Sequence, residues 1–243
     1  MWGEPLINQN IFHMIRETAS YAAVNISTNA LLLNDRTVVE LIQSGVTDLI
    51  VSIDGVTQET YQKYRVGGDV SKAFKILKML AKENRANGNQ VKLIPQMIVF
   101  DHNQHEVESF SAICQELGLM PFFKQPYIRS MESEFRAAKD PQFQRKTYQT
   151  RTDLIKAMSS CSHLREVFTI TVSGDVILCS CDYDSEVVYG NILDKESSVE
   201  SIWMSDKSRT IRNDIMNGRP CDVCNEKCLD FVLSTDYPVA KDN

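Results

Sequence analysis

The sequence predicts an α/β fold with parallel strands, followed by a small C-terminal α+β module. From Pro5 to about Tyr127, helical and strand patterns alternate with short loops between them. Such alternation implies parallel strands joined by helical crossovers, in a barrel or an open doubly wound sheet. In either architecture the working site lies at the carboxyl ends of the strands. The distribution of cysteines along the chain indicates the second module, because six of the seven lie from residue 161 onward.

The elements of the first module follow from hydrophobic spacing and from residues that begin or end helices. Asp35 can cap a helix, and Gly45 and Gly118 stand where helices are expected to end. Helices are predicted over 8–21, 35–43, 57–64, 70–85 and 103–117, and strands over 22–26, 49–53, 91–100 and 120–124. The carboxyl ends of these strands make 27–29, 52–55 and 96–101 the candidate site segments.

The chain from 130 to 160 is polar and charged, and we predict that it bridges two modules. Beyond it, alternation over 167–172, a Ser-Gly-Asp turn and a return over 176–179 predict a hairpin. Two small helices are predicted over 198–203 and 206–216. We therefore expect one module at 1–129 and another at 161–243, with 130–160 between them.

The spacing of the late cysteines is typical of a metal site. Cys161 is followed by Gly174, four further residues and Cys179, and Cys181 comes two positions later. After a long gap the chain reads Cys-x2-Cys-x3-Cys over 221–228. Thiolates in such a set bind a soft metal or an iron–sulfur cluster, or they pair as disulfides.

Composition favours the metal over the disulfides. The sequence shows no signal peptide and no apolar run of the roughly 18 residues that a membrane helix needs, so we expect a cytoplasmic protein with no membrane partner. Thiols stay reduced in the cytoplasm, and an odd count of seven cysteines fits complete pairing poorly. A net charge of −6 argues against a general nucleic-acid surface, which needs clustered lysine and arginine.

The first module resembles the radical S-adenosylmethionine (SAM) enzymes. The resemblance is carried by Gly-Glu-Pro-Leu at 3–6, Ser-Thr-Asn at 27–29 and Val-Ser-Ile-Asp-Gly at 51–55. The cysteine-rich tail is similar to the SPASM domain, or the shorter twitch domain, of the same superfamily. Together these resemblances imply a partial (β/α)6 TIM-like barrel missing its first units, plus a small C-terminal α+β iron–sulfur domain.

The resemblance implies positions for SAM near the first two predicted strands. Gly3 and Glu4 match the motif that holds the methionine amino group, and a carboxylate suits an ammonium. Ser27 and Asn29 match the positions that line the carboxylate and ribose of the cofactor. The alternative for all four is turn and helix-cap chemistry, which the same residue types serve.

Three further residues complete the implied cofactor set. Ser52 and Asp54 match the position that faces the ribose hydroxyls, and Arg65 lies where relatives often keep a basic residue near the cofactor carboxylate. Asp54 can equally form a turn with Gly55, and an exposed arginine on a helix is often only solvated. No catalytic residue is assigned.

The tail resembles the twitch layout, in which a hairpin supplies two ligands and a Cys-x2-Cys knuckle supplies two more. The resemblance therefore implies Cys161, Cys179, Cys221 and Cys224 as the ligands, with Cys181 and Cys228 as spares. Four thiolates suit an auxiliary [4Fe-4S] cluster or an all-cysteine zinc site. Cys114 stands alone on a predicted helix, and we expect it to be a packed core thiol.

The Cys-x3-Cys-x2-Cys segment that defines radical SAM enzymes is absent from these 243 residues. We therefore expect the C-terminal part of a longer enzyme, with a degenerate paralogue as the alternative. The resemblance implies a parent oxidoreductase or maturase that modifies a peptide or a small polar metabolite. That parent would use SAM and an electron donor such as flavodoxin or ferredoxin. A non-catalytic binding or scaffold protein with a structural four-cysteine metal site is the competing hypothesis.

Overall fold

A computed structural model of the protein describes residues 3–128 and 133–228, which form two compact units. The first, here called the sheet unit, comprises residues 3–126 and 134–144. The second, the cysteine unit, comprises residues 127–128, 133 and 145–228. The structure does not describe residues 1–2, 129–132 and 229–243, which belong to the ends of the two predicted modules and to the start of the predicted bridge.

The sheet unit alternates strands and helices as the sequence predicts, and its four strands are parallel in the order β1-β2-β3-β4. The strands are β1 Asn25–Thr28, β2 Asp48–Ser52, β3 Lys92–Ile98 and β4 Phe122–Lys124. The helices are α1 Ile11–Ala19, α2 Asp35–Ile42, α3 Gln58–Tyr64, α4 Val70–Ala86 and α5 Val107–Glu116, with short 3-10 helices at Pro5–Ile7, Gln104–Glu106 and Pro141–Phe143. The α/β fold class is thus confirmed.

Side-chain capping fixes where several helices begin. Asn34, rather than the predicted Asp35, caps α2 by accepting hydrogen bonds from the backbone N–H groups of Arg36 and Thr37. Thr57 caps α3, and Asp69 caps α4 in the same manner. These side chains satisfy N–H groups that have no partner within the helix.

The register of the parallel strands divides the sheet into two faces. Leu49, Val51, Leu93 and Met97 point into the main hydrophobic core, which α2 and α4 help to form. Because side chains alternate along each strand, the in-between residues share the opposite face. That face, here called the polar face, carries Ser27, Ile50, Ser52, Ile94, Gln96, Ile98, Phe122 and Lys124. The cofactor residues predicted within the strands therefore lie on the face away from the core.

The cysteine unit is smaller and is built on an antiparallel sheet of order β5-β6-β7. Its strands are β5 Thr169–Ile170, β6 Asp175–Ile177 and β7 Val188–Asn191. Its helices are α6 Arg151–Met158, α7 His163–Glu166, α8 Val199–Trp203 and α9 Asp206–Met216, with a π-helical turn at Val223–Lys227. A separate core contains Leu164, Val176, Leu178, Tyr189, Ile202, Ile215 and Val223.

Helices α6 and α7 and strand β7 of the cysteine unit have no counterpart in the sequence-based assignment. Helix α6 lies in the stretch predicted as a bridge, and it buries only Leu154 and Met158, which is too weak a pattern to stand out. Strand β7 includes Gly190 and Asn191, where the sequence suggests a turn. No helix in the described part of the chain has both the length and the apolar composition needed to cross a bilayer.

Candidate metal centre and cofactor site

Five cysteines of the cysteine unit line one apolar cavity. The cavity is bounded by Met158, Cys161, His163, Leu164, Leu178, Cys179, Cys181, Ile215, Val223, Cys224 and Cys228. Three of the four predicted ligands, Cys161, Cys179 and Cys224, are in this lining. The fourth, Cys221, packs against the same small core and lies next to Cys224. The structure thus brings the predicted ligands together, and it brings both spare cysteines with them.

The hairpin places Cys179 just beyond β6 through a tight turn at Gly174. Gly174 has φ of +85°, a conformation that favours glycine. A Cβ atom added there would lie 2.7 Å from Leu193 Cγ and 2.8 Å from Asn191 Oδ1. Glycine at the fifth position before Cys179 is therefore a steric requirement of this turn.

Asn191 closes the same turn from β7. Its Nδ2 donates to the Ser173 carbonyl at 3.0 Å and to Asp175 Oδ1 at 2.9 Å, while its Oδ1 accepts from Leu193 N at 2.8 Å. Gly190, its neighbour on β7, packs against Ile202, whereas Asn191 acts through hydrogen bonds.

The Cys-x2-Cys knuckle places two thiols in direct contact. The Sγ atoms of Cys221 and Cys224 are 3.8 Å apart, and the knuckle enters the π-helical turn. The hydrogen bond shared with the Cys224 thiol lowers the pKa of Cys221; burial opposes it, and the backbone N–H groups of Cys224 and Val223 reinforce it. The same shared hydrogen bond and burial raise the pKa of Cys224. Since the thiolate is the metal-binding form, Cys221 is the thiol of this pair that ionises more readily.

The described thiols are distributed around a cavity and do not converge on one position. No three of the described cysteine, histidine and acidic side chains lie close enough together to hold a single metal ion. One tetrahedral zinc ion would hold all four thiolates about 3.8 Å apart, as a Zn–S bond of about 2.3 Å requires. In an iron–sulfur cubane each thiolate binds a different iron. The Cys221–Cys224 separation of 3.8 Å equals the spacing on a zinc ion, and the thiol donors with their apolar lining suit an iron–sulfur cluster or an all-cysteine zinc site.

Three buried side-chain polar atoms of the cysteine unit have no hydrogen-bond partner within the described residues: His163 Nδ1, Thr169 Oγ1 and Tyr189 Oη. Two of them belong to the cavity lining or to the core of the candidate ligands. His163 lines the cavity, and Tyr189 belongs to the core against which Cys161 and Cys179 pack. Buried polar atoms are rarely left unpaired, so each is consistent with a bound group nearby. His163 is two residues from Cys161 in the sequence, whereas nothing in the sequence marks Tyr189.

Glu4 ties the beginning of the sheet unit to the end of β1. Its Oε1 accepts from Thr28 Oγ1 at 2.7 Å, and its Oε2 accepts from Asn29 N at 2.8 Å. Gly3 is exposed, and Ser27 is exposed on the polar face. The structure thus brings Glu4 and Asn29 together at the carboxyl edge of the sheet.

Asp54 lies fully buried at the carboxyl end of β2 and forms an ion pair with Arg65. Its Oδ2 accepts from Arg65 Nε at 2.6 Å, and its Oδ1 accepts from Ile98 N at 2.6 Å. Burial raises the pKa of Asp54, although Arg65 and the Ile98 N–H oppose the shift. Ser52 is also buried and accepts a hydrogen bond from Gln96. A contact of these residues with SAM stays a prediction. The ion pair also has a structural role, because Asp54 joins Arg65 to the backbone of β3.

Two buried residues near Asp54 were not anticipated from the sequence. Asn103 Nδ2 donates to the carbonyls of Asp54 and Ile98, at 3.1 and 2.8 Å. Glu106 accepts from Val56 N at 2.6 Å and from Thr57 Oγ1 at 2.7 Å. Both residues fix the loops at the carboxyl ends of β2 and β3. An Asn or Glu at a helix start carries no local signal that its partner lies 49 residues away.

Comparison with known families agrees with this two-unit picture. The SPASM family model, described as an iron-sulfur cluster-binding domain, matches residues 161–229. The mycofactocin maturase MftC of Mycobacterium ulcerans is 26% identical over 117 residues, covering 48% of this chain and 30% of the relative. The GTP 3',8-cyclase of Clostridium botulinum is 27% identical over 146 residues, covering 54% of this chain and 44% of the relative. The chain therefore spans less than half the length of these curated relatives.

Solved structures share the fold. The structure of Streptococcus suis SuiB bound to S-adenosylmethionine superposes with a TM-score of 0.68 at 14% identity, covering 96% of this chain and 63% of that chain. SuiB bound to its precursor peptide SuiA gives a TM-score of 0.66 at 14% identity, with the same coverage.

Proposed function

We propose that the chain, which is similar to radical SAM enzymes and matches the SPASM family model over residues 161–229, serves as the C-terminal part of an oxidoreductase or maturase. The observation that carries the proposal is the set of thiols around one apolar cavity in the cysteine unit. In our proposal this unit holds one auxiliary [4Fe-4S] cluster, and the sheet unit contributes to binding SAM in the full-length protein.

Cys161, Cys179, Cys221 and Cys224 are the proposed ligands, with Cys181 and Cys228 as the residues that could replace one of them. Such a cluster, when bound, can accept or donate one electron. The chain supplies the thiolates, the apolar surroundings and the backbone N–H groups that favour the thiolate at Cys221. Burial and hydrogen bonds to sulfur are the means by which a protein sets the potential of a cluster.

For SAM, we propose Gly3, Glu4, Ser27 and Asn29 at the end of β1, and Ser52, Asp54 and Arg65 at the end of β2. The Glu4 carboxylate is already oriented by hydrogen bonds from Leu6, Thr28 and Asn29. Its Oε1 accepts two of them, whereas its Oε2 accepts one and keeps a lone pair for an ammonium group. Asp54 uses both oxygens within the protein, so its contribution includes holding Arg65 in place.

A peptide is the substrate class that we favour over a small polar metabolite. One relative is named a maturase, and one structure of the same fold contains a precursor peptide. An electron donor such as flavodoxin or ferredoxin remains part of the proposal for the full-length enzyme.

Anaerobic reconstitution of the chain with iron and sulfide tests the proposal. We expect about four iron and four sulfide per chain. Replacing any of Cys161, Cys179, Cys221 or Cys224 by Ala should remove most of the bound iron, whereas Cys181→Ala and Cys228→Ala should retain it. Cys114→Ala is the control, because Cys114 is buried in the core of the sheet unit.

Two results would contradict the proposal. A colourless protein that binds one zinc ion and no sulfide would support the structural metal site of a scaffold protein instead. Equal iron content in the wild type and in a Cys221→Ala, Cys224→Ala double variant would show that the knuckle holds no cluster.

A further inference from the structure

The hydroxyl of Tyr189 is buried without a partner. Tyr189 lies on β7 with 7% of its surface exposed, and its Oη atom has no hydrogen-bond partner among the described residues. A buried hydroxyl without a partner is unfavourable relative to its hydrated state. Such a group in a folded protein calls for a partner that the polypeptide does not supply.

The surroundings of the hydroxyl indicate which partner is missing. Tyr189 is part of the small core against which Cys161, Cys179, Cys221 and Cys224 pack. Burial raises the pKa of Tyr189, and the nearby thiols of Cys179, Cys221 and Cys224 raise it further. The hydroxyl therefore belongs to the small core on which all four proposed ligands pack.

The cysteine unit also contains a buried cation. Arg212 on α9 is 9% exposed, with Cζ 3.6 Å from the centre of the Trp203 ring. Its Nη2 donates to the Trp203 carbonyl at 2.6 Å and its Nε to the Ser208 carbonyl at 3.2 Å. Among the described residues it has no carboxylate partner. Its charge opposes the rise in the pKa of Tyr189.

A buried cation without an anion is costly, so the unit is expected to hold negative charge nearby. Four thiolates on an iron–sulfur cluster provide it, and one-electron reduction makes that charge more negative. A hydrogen-bond donor and a cation beside the sulfurs stabilise the reduced form more than the oxidised form.

We propose that the Tyr189 hydroxyl donates a hydrogen bond to a sulfur of the auxiliary cluster and thereby raises its reduction potential, with Arg212 adding a positive field. The inference rests on the proposed function. Tyr189 is not a catalytic residue in this proposal, because it acts on the electron-transfer group and not on substrate.

Tyr189→Phe tests the inference, since it removes one oxygen and keeps the ring. The full chain and the variant are reconstituted anaerobically and titrated with dithionite, and the cluster signal is followed by electron paramagnetic resonance. We expect the same iron and sulfide content in both, and a more negative midpoint potential in the variant. Resonance Raman spectra in H2O and D2O should show a solvent-isotope shift of an Fe–S band that disappears in Tyr189→Phe.

Tyr21→Phe is the control, because the Tyr21 side chain is 90% exposed in the sheet unit and its loss should leave the potential unchanged. An unchanged potential and isotope shift in Tyr189→Phe would overturn the inference while leaving the cluster in place. Loss of iron from Tyr189→Phe would also overturn it, because the hydroxyl would then be needed for assembly. A wild-type chain that binds no cluster overturns the proposed function, and this inference with it.

Discussion

Gly174 and Asn191 show how two small residues determine where a candidate ligand lies. Gly174 allows the left-handed turn of the hairpin, and the Asn191 amide fills the space that a side chain at 174 would need. The three hydrogen bonds of Asn191 then join the turn to β7. The direction of the strand that leads to Cys179 depends on this arrangement.

Gly174→Ala is therefore expected to destabilise the cysteine unit more than an ordinary glycine replacement. The left-handed conformation alone costs an alanine about 1–2 kcal/mol. The contacts with Leu193 and Asn191 add about 1–3 kcal/mol of overpacking. Gly218→Ala is the matched control, because Gly218 has φ of +79° but its added Cβ would meet only Ile155, at 3.4 Å. Urea unfolding of both variants measures the difference, and equal losses would contradict the steric argument.

The start of α5 is joined to the loop after β2 by one carboxylate. Glu106 is 5% exposed and accepts hydrogen bonds from Val56 N, Thr57 N and Thr57 Oγ1. Burial raises its pKa, but the hydrogen bonds from Val56 and Thr57 together outweigh burial and leave the pKa of Glu106 lowered. Because Thr57 also caps α3, this one side chain orients the segment that follows Asp54.

Glu106→Gln should make the stability of the sheet unit less dependent on pH. A carboxyl whose pKa is lower in the folded state stabilises the protein above its unfolded pKa of about 4.3 and loses that effect as pH falls through the folded value. We expect a loss of about 1–3 kcal/mol at pH 7, which shrinks below about pH 4. Urea unfolding between pH 3 and pH 7 measures it.

Glu108→Gln is the control for this prediction. Glu108 is exposed on α5, so its replacement should change stability little at any of these pH values. If the loss of unfolding free energy in Glu106→Gln stays constant down to pH 3, the carboxylate charge is not what stabilises the loop after β2.

The elements that the sequence predicts are those with strong local patterns. The run Leu49 to Ile53 is buried throughout its core-facing positions, and it marks β2 without knowledge of its neighbours. Helix α6 and strand β7 bury too few side chains to be seen in this way. Partners that are distant in sequence, such as Glu106 with Thr57 or Asn103 with the Asp54 carbonyl, depend on how elements pack. A single sequence carries no signal for them.

The two units differ in how much apolar material they bury. The core of the sheet unit contains 26 buried hydrophobic residues, whereas that of the cysteine unit contains seven. Four of the candidate ligands pack around the smaller core. A small core gains a larger share of its stability from a bound metal group, because metal binding adds directly to folding free energy.

Removal of the cluster is therefore expected to loosen the cysteine unit and to leave the sheet unit unchanged. Hydrogen exchange of the reconstituted full chain, followed by mass spectrometry before and after chelation, measures this by segment. Exchange should rise at least about tenfold over 161–228, as a loss of about 1.4 kcal/mol or more would give. Strands β1 to β3 should keep their protection. The Cys221→Ala, Cys224→Ala double variant is the control, since chelation should not alter its exchange. Equal acceleration in both units, or none in the cysteine unit, would mean that the cluster does not carry the stability of the smaller core.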